Sequence, residues 1–507
     1  MGRTISLNEL ALAVGPQKVE GSLDRLVQGV AYDSRCVQRN MLFVAVPGFQ
    51  TDGHAYISGA IDRGACAVIC EKNWVVPRRA TKIQVHDSRR ALARASAVFY
   101  GCPSQKMQVI GLTGTSGKTT VAFLLRHILK VAGRKAGLIS SIHYEIGERI
   151  VPAHRTTPEA LDVQQMLNSM LEAGAESCVL EVSSHALEQG RVAEVEFDVA
   201  VFTNLASNHL DFHADPEAYY QAKRKLFESV QNGKKRGGAV INIDDAAGRR
   251  LARETTAEVQ LTYGAHDMAR LRATHVHLER DGTRMRLDTP GGAIDCRTSL
   301  VGRHNVLNVL AAVGAAECLG ISRESIGEAL ETLPPIPGRF EPVRMGQPFS
   351  VFVDYAHTEL AMRQVLATVR ELTKGRVLLA FGCGGSRDTT RRAGMGKAAA
   401  ELADFTVITN DNPRRESPAE IAKEVASGYL SVRTSGWTIE LERQRAIEML
   451  LRQARPGDTV LIAGKGHETW QEFADTVVPF DDRVHAAEIL ESMGYMGARH
   501  HRGKAFR

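Results

Sequence analysis

The sequence predicts an α/β protein built in about three domains, and three observations carry that prediction. Short apolar runs alternate with amphipathic helical stretches through most of the chain, a pattern that leads to mostly parallel sheets with helices on their faces. One run, residues 107–120 (MQVIGLTGTSGKTT), breaks into a glycine- and threonine-rich turn and passes straight into an amphipathic segment. The length of 507 residues exceeds what one core organises, and breaks fall at YGCPSQ (100–105) and LPPIPGRFE (333–341). These breaks divide the chain into domains at 1–98, 99–335 and 336–507.

Composition narrows the class. With 44% hydrophobic and 24% charged residues the chain can bury a core, which excludes a disordered or fibrous protein. No apolar run reaches the roughly 18 residues of a membrane span. The opening MGRTISLNEL has no secretory pattern, so the expected location is the cytoplasm. Eight cysteines form no C-x-x-C pair, which suits a reducing compartment and argues against a zinc site. A net charge of +5, with no basic-aromatic stripe, gives no support for nucleic-acid binding. The basic tail ARHHRGKAFR reads as a solvated terminus.

Within 1–98, VQGVAYDSR, MLFVAVPG and CAVICE read as strands and ALARASAVFY as a helix. From 106 to 335, AGLIS, SCVLEV, DVAVFTNL and GGAVINID read as strands alternating with helices such as ALDVQQMLNSMLEAG. After 341, VLLAFGCGGSRD, FTVITNDNPRR and TVLIAGKGHE each run from a strand into a polar or glycine-rich loop. Parallel sheets collect ligands at such strand ends.

The 107–120 run has the layout of a phosphate loop. Glycines let backbone N–H groups approach phosphate oxygens, and the following helix start favours an anion. Gly114, Thr115, Gly117, Lys118, Thr119 and Thr120 form the candidate loop, with Lys118 toward the β/γ-phosphates and Thr119 toward Mg²⁺. The first glycine of the usual pattern falls at Leu112, so the loop is a variant. Glu181, at the end of SCVLEV, suits a Mg²⁺ ligand facing that loop, although a capping glutamate reads the same way. Asn208, His209, Asp211 and His213 follow another strand. Lys223 and Lys225 lie on a helix, and His304, Asn305 and Asn308 open an apolar one.

G-T-x-G-K-T-T, E-V-S-S-H, T-N-L-x-x-x-H-L-D-x-H, A-K-x-x-L-F, G-x-H-N-x-x-N, P-G-R-F-E, D-Y-A-H-T and G-K-G-H-E occur in that order. The series, from Asp33-Ser34-Arg35 to Glu468, resembles the Mur ligase family of ATP-dependent amide-bond-forming enzymes of peptidoglycan synthesis. The resemblance implies a small N-terminal domain for a UDP-sugar, a central P-loop domain for ATP and a Rossmann-like C-terminal domain for the incoming amino acid. It also implies acyl-phosphate chemistry on UDP-N-acetylmuramoyl-L-alanyl-D-glutamate and a monomer acting on small molecules away from membranes. By similarity, Thr119, Glu181, His209 and Lys223 would support Mg²⁺, Lys223 as a carbamate, and Lys118, Glu181, His209 and Lys223 would form the catalytic set. Asn308, Arg339 and Asp354 match nucleotide contacts. Ser34, Thr156, Thr157, Ser183, Gln189 and Arg191 match contacts to the UDP-muramoyl-dipeptide.

Asp411-Asn412-Pro413-Arg414 resembles the loop of members that add meso-diaminopimelate. An arginine fork suits that substrate's distal carboxylate and opposes the ammonium of lysine. Arg387, Gly464 and Glu468 match further contacts to it. Three positions depart from the family pattern: Asn208, Leu360 (after Glu359, which replaces a proline) and Ser386 each stand where a carboxylate is usual. A working enzyme with altered electrostatics is expected. The alternatives are a folylpolyglutamate synthase, which has no N-terminal UDP domain or D-N-P-R loop, a lysine-adding relative, and an ATP-binding scaffold without turnover. YGCPSQ and LPPIPG are the candidate hinges for closure.

Overall fold

The structure, a computed structural model, describes residues 3–48, 51–206, 212–233, 235 and 237–496. Its N-terminal part is a five-stranded sheet in the order Lys18–Glu20, Thr81–Gln84, Ala65–Cys70, Met41–Val44, Gly29–Ala31. Only the first pair is antiparallel. Ala65–Cys70 is buried at every residue, which is why it reads as a continuous apolar run. Helices Leu7–Val14 and Ser88–Phe99 complete this core.

The expected hinge at 100–105 is instead a packed junction. Pro103 and Ser104 are buried in a single 3-10 turn, and Ser104 Oγ accepts from Glu196 N at 3.1 Å. Ala160 and Leu161 of the helix Ala160–Glu172 enter the N-terminal core. Tyr32 donates to Asp162 of the same helix at 2.9 Å.

The central sheet has eight strands in the order Arg149–Pro152, His143–Ile146, Ala136–Ile139, Ser177–Glu181, Gln108–Thr113, Val199–Phe202, Gly238–Asn242, Val259–Tyr263. His143–Ile146 is antiparallel to both of its neighbours and the other pairs are parallel. Gln108–Thr113 lies between Ser177–Glu181 and Val199–Phe202, so the loop after it emerges mid-sheet, flanked by Glu181 and Thr203. Lys118–Val131 and Arg303–Cys318 cover one face. Ala160–Glu172 and Pro216–Asn232 cover the other.

A three-stranded antiparallel sheet, Arg272–Glu279, Gly282–Thr289 and Gly292–Thr298, interrupts the expected α/β alternation. It turns at Arg280-Asp281 and Pro290-Gly291 and buries Met285, Leu287, Ile294 and Cys296 in the main core.

The C-terminal sheet has six strands in the order Glu341–Pro342, Ser350–Asp354, Thr459–Ala463, Val377–Phe381, Phe405–Ile408, Trp437–Ile439. All pairs but the first are parallel. The chain enters this sheet through Gly338 (φ 64), where a Cβ would collide with the backbone of Gly466 and His467. Among the described residues no helix is long and apolar enough to cross a membrane.

Candidate active site

The carboxyl ends of the central and C-terminal sheets open onto one cleft of about 730 Å³. Its central wall is the loop after Gln108–Thr113. Gly114 (φ 149) and Gly117 (φ 88) take backbone angles that favour glycine. Each also meets another element closely: a Cβ would strike the Thr203 hydroxyl at Gly114 and the Asn308 side chain at Gly117. The loop is latched to the neighbouring strand, with Thr115 N donating to Asn204 O at 2.8 Å and Ser116 N to Asn204 Oδ1 at 3.0 Å. Lys118–Val131 starts at once, so the unpaired N–H groups of its first turn sit at the cleft.

Lys118 Nζ folds back over the loop, donating to Gly114 O at 2.8 Å and Thr115 O at 3.1 Å. Burial lowers its pKa and the Arg339 guanidinium adds to this, while Glu181 opposes it. Glu181 is 1% exposed. Its Oε1 accepts from Ser141 N at 3.0 Å and its Oε2 from Thr119 Oγ1 at 3.2 Å. Burial raises the Glu181 pKa against the pull of Lys118. Ser141 was not singled out in the sequence, although it directly follows AGLIS.

Lys223 is 2% exposed and lies behind the loop, outside the lining of the cleft. Its Nζ donates to Gly114 O at 2.8 Å and stands 4.5 Å over the Tyr219 ring. Burial, reinforced by Lys118, holds its pKa well below the usual lysine value. His209, with Asn208 and Asp211, lies outside the described residues. His213 does not face the loop but pairs with Ser184 Oγ at 2.9 Å. Among the described residues no three His, Cys, Asp or Glu side chains converge as a metal cluster, so the expected Mg²⁺ set is represented here by Thr119 and Glu181 together.

On the side expected to take the nucleotide, Asn305 and Asn308 are buried at the start of Arg303–Cys318. Asn308 Nδ2 donates to Asn305 Oδ1 at 2.9 Å. Arg339 reaches across from the C-terminal entry, with Nη2 donating to Thr119 Oγ1 at 3.0 Å and the guanidinium 4.6 Å from the Tyr355 ring centroid. Asp354 Oδ2 accepts from Phe340 N at 2.8 Å, and burial raises its pKa. Burial also lowers His304 and His357 to about 4 and His467 to about 3, so these lining imidazoles are neutral at pH 7.

On the side assigned to the dipeptide, Thr156, Thr157, Ser183 and Arg191 line the cleft. Thr157 Oγ1 donates to Glu181 O at 2.8 Å and accepts from Ser183 N at 3.0 Å. Gln189 lies just outside and accepts from Arg191 Nη2 at 2.6 Å. Ser34 sits in the turn Ser34–Cys36 of the N-terminal part, outside the cleft lining.

At the far end, Arg387, Asp411, Asn412, Arg414, Gly464 and Glu468 line the cleft, and Pro413 does not. Glu468 Oε2 accepts from Asn412 Nδ2 at 2.8 Å and from the buried Lys465 at 3.0 Å. Burial, with Asp411 adding to it, raises the Glu468 pKa. Arg414 sits at φ 51. Its Nε donates to Glu472 Oε2 and its Nη1 to Gly385 O, both at 2.8 Å. Lys465 and Glu472 are the partners that sequence reasoning missed. At the departures, Glu359 pairs with Arg363 at 2.9 Å, and Ser386 N donates to the Glu416 carboxylate.

Family models match three stretches of the chain. They are the Mur ligase family catalytic domain at 26–100, the Mur ligase middle domain at 112–316 and the Mur ligase glutamate ligase domain at 338–466. A UDP-N-acetylmuramoyl-L-alanyl-D-glutamate–2,6-diaminopimelate ligase of Geobacter metallireducens is 40% identical, covering 97% of this chain and 99% of its own. One of Solibacter usitatus is 42% identical, covering 98% and 99%. A solved structure of a ligase of that name superposes with a TM-score of 0.69 at 30% identity, covering 97% of this chain and all of its own. With these matches spanning the N-terminal, central and C-terminal sheets, the chain belongs to the Mur ligase family.

Proposed function

We propose that the protein joins meso-2,6-diaminopimelate to UDP-N-acetylmuramoyl-L-alanyl-D-glutamate at the expense of ATP, in peptidoglycan synthesis. One observation carries the reading: a phosphate loop with Lys118 and an arginine fork at Arg414 line the same cleft from two different sheets. That is the arrangement needed to activate a carboxylate at one end and deliver an amine from the other.

A carboxylate resists attack because oxide is a poor leaving group. Transfer of the γ-phosphoryl group of ATP to the D-glutamate carboxylate makes an acyl phosphate, which the amine of diaminopimelate attacks to expel phosphate. Lys118 and the first-turn N–H groups neutralise the transferring charge, so the work is positioning and charge stabilisation. Asn308, Arg339 and Asp354 hold the nucleotide. Thr156, Thr157, Ser183 and Arg191 hold the dipeptide, with Gln189 orienting Arg191 and Ser34 serving the uridine end. Arg387, Asn412, Arg414, Gly464 and Glu468 hold diaminopimelate, with Asp411 and Pro413 shaping that loop. The oxygens of Thr119 and Glu181, 3.2 Å apart beside the loop, are hard donors that fit Mg²⁺. When bound there, with His209 as a further ligand, magnesium supplies charge neutralisation on the phosphates. The neutral histidines and buried walls keep water from the acyl phosphate once the domains close at 333–341. The protein works as a monomer in the cytoplasm.

The depressed pKa of Lys223 supplies the neutral amine that carbamate formation with CO₂ requires, one proton being released. Lys223→Met is expected to abolish turnover yet raise the thermal midpoint by about 2–4 °C at pH 7 in CO₂-free buffer. The folded protein binds fewer protons here than the unfolded chain, so the gain is full at low pH. It fades as pH approaches the unfolded lysine value of about 10.4. Thermal melts at pH 7 and 10 check the sign, and a gain that grows toward pH 10 would refute it.

The function itself is tested by phosphate release with UDP-N-acetylmuramoyl-L-alanyl-D-glutamate, ATP, Mg²⁺ and bicarbonate. Release with meso-diaminopimelate and not with L-lysine is expected. Release with lysine overturns the amino-acid assignment, and silence with both overturns the enzyme.

A further inference from the structure

One carboxylate at the amino-acid end has no task in the reaction just described. Glu472 lies on the hairpin strand Trp470–Phe473 and lines the cleft. Its backbone already fastens the hairpin to the 411–414 loop: Glu472 N donates to Asn412 Oδ1 and Glu472 O accepts from Arg414 N, both at 3.0 Å, and the neighbouring Gln471 Nε2 donates to Asp411 O at 3.0 Å. The side chain does something else. It sets a negative charge against Arg414 Nε at 2.8 Å, in a pair that is 22% exposed at Arg414 and 39% at Glu472. The two side chains therefore present a neutral dipole to the cleft rather than a lone cation.

We propose that Glu472 is a specificity-determining residue that makes this end of the site select a zwitterion; the inference rests on the assignment of the cleft to meso-2,6-diaminopimelate. The distal carbon of that substrate carries a carboxylate and an ammonium. Lysine has only the cation there, and 2-aminopimelate, the same chain with one amine, only the anion. Arg414 by itself accepts any carboxylate. With Glu472 beside it, an ammonium on the same carbon gains a partner, and a carboxylate arriving without one meets uncompensated repulsion.

The test uses the full-length protein and compares wild type with Glu472→Gln. Glutamine keeps an oxygen for Arg414 Nε and removes the charge. The readout is the ratio of kcat/KM for meso-diaminopimelate to that for L-2-aminopimelate, or the inhibition constant of the latter where its turnover is too slow to measure. The ratio is expected to fall about five- to tenfold, a partly exposed charge being screened. The fall should come through a higher KM for diaminopimelate and tighter 2-aminopimelate, with kcat for diaminopimelate within about twofold of wild type. Glu472→Asp, which restores the charge, keeps most of the preference. An equal loss for both amino acids would show that Glu472 only props Arg414, and an unchanged ratio would show that its charge is not read; either result overturns the proposal. Wild-type protein that rejects meso-diaminopimelate overturns the assignment beneath it, and that is visible before any variant is compared.

Discussion

Replacing Lys118 with alanine is expected to lower kcat for ATP-dependent phosphate release by on the order of 10³-fold, with a much smaller change in KM for ATP. The ammonium is the first residue of Lys118–Val131 and is held over the loop by the Gly114 and Thr115 carbonyls. It is therefore fixed where charge accumulates on the transferring group rather than searching for it. Burial already lowers its pKa, so its charge is costly in the free protein and is best compensated when phosphate oxygens lie against it. That difference between free and reacting states is what makes an interaction catalytic rather than merely binding. Removing the side chain also relieves a buried charge, so the variant should fold at least as well as wild type. Lys118→Arg should not restore the rate, because a planar fork cannot follow the path of a compact ammonium around the loop. Single-turnover phosphate release separates the chemical step from binding. A kcat for Lys118→Ala within tenfold of wild type would sink the role assigned here.

Much of the fold was legible because each strand leading to the cleft runs directly into polar or glycine-rich residues. The departure at Leu112 did not obscure the loop, and the structure explains why. Leu112 is a fully buried strand residue, and the backbone angles that need glycine fall at Gly114 and Gly117. Other features were hidden for physical reasons. The antiparallel sheet at 272–298 sets Arg284, Arg286 and Arg297 between the buried Met285, Leu287, Ile294 and Cys296, so its half-buried strands lack the continuous apolar run that marks the parallel ones. The turns Arg280-Asp281 and Pro290-Gly291, each followed by a glycine that opens the next strand, were its available signal. YGCPSQ has a linker's composition, yet its burial depends on Glu196 and on a helix that begins some 60 residues later, at Ala160. Proline and glycine mark a break in regular structure, and they do not say whether the break is loose.

The site divides in the same way. Lys118, Glu181, Arg339 and Arg414 stand in motifs whose spacing is local, and the structure brings all four to one cleft. Ser141 and Glu472 act through partners 40 and 58 positions away, and no short pattern records such a contact. Lys465 sits inside G-K-G-H-E and was visible, but its role in holding Asn412 and Glu468 together exists only after the sheet has placed those loops side by side.

Arg414→Ala is expected to reduce kcat/KM for meso-diaminopimelate by about 10²-fold, the cost of losing charge-assisted hydrogen bonds in a site built around them. The guanidinium is held at both sides, by Glu472 through Nε and by Gly385 through Nη1, so the free protein already presents it in place. Its loss does more than delete a donor. Glu472 keeps its carboxylate without the Arg414 cation against it, and what was a neutral pair becomes a net negative charge. A substrate with a distal carboxylate is then repelled, and one with only a distal ammonium is attracted. The preference for diaminopimelate over lysine should therefore collapse, with lysine improving in absolute terms. KM for the UDP-dipeptide should stay within about twofold, because among the described residues the side-chain bonds of Arg414 go to Gly385 and Glu472, both within the C-terminal sheet domain. The double variant Arg414→Ala with Glu472→Gln separates the two effects: it should remain poor with diaminopimelate and lose the gain with lysine. An Arg414→Ala enzyme that keeps a tenth or more of its kcat/KM for diaminopimelate and still rejects lysine would mean that Arg387 or Glu468, not Arg414, reads the distal end.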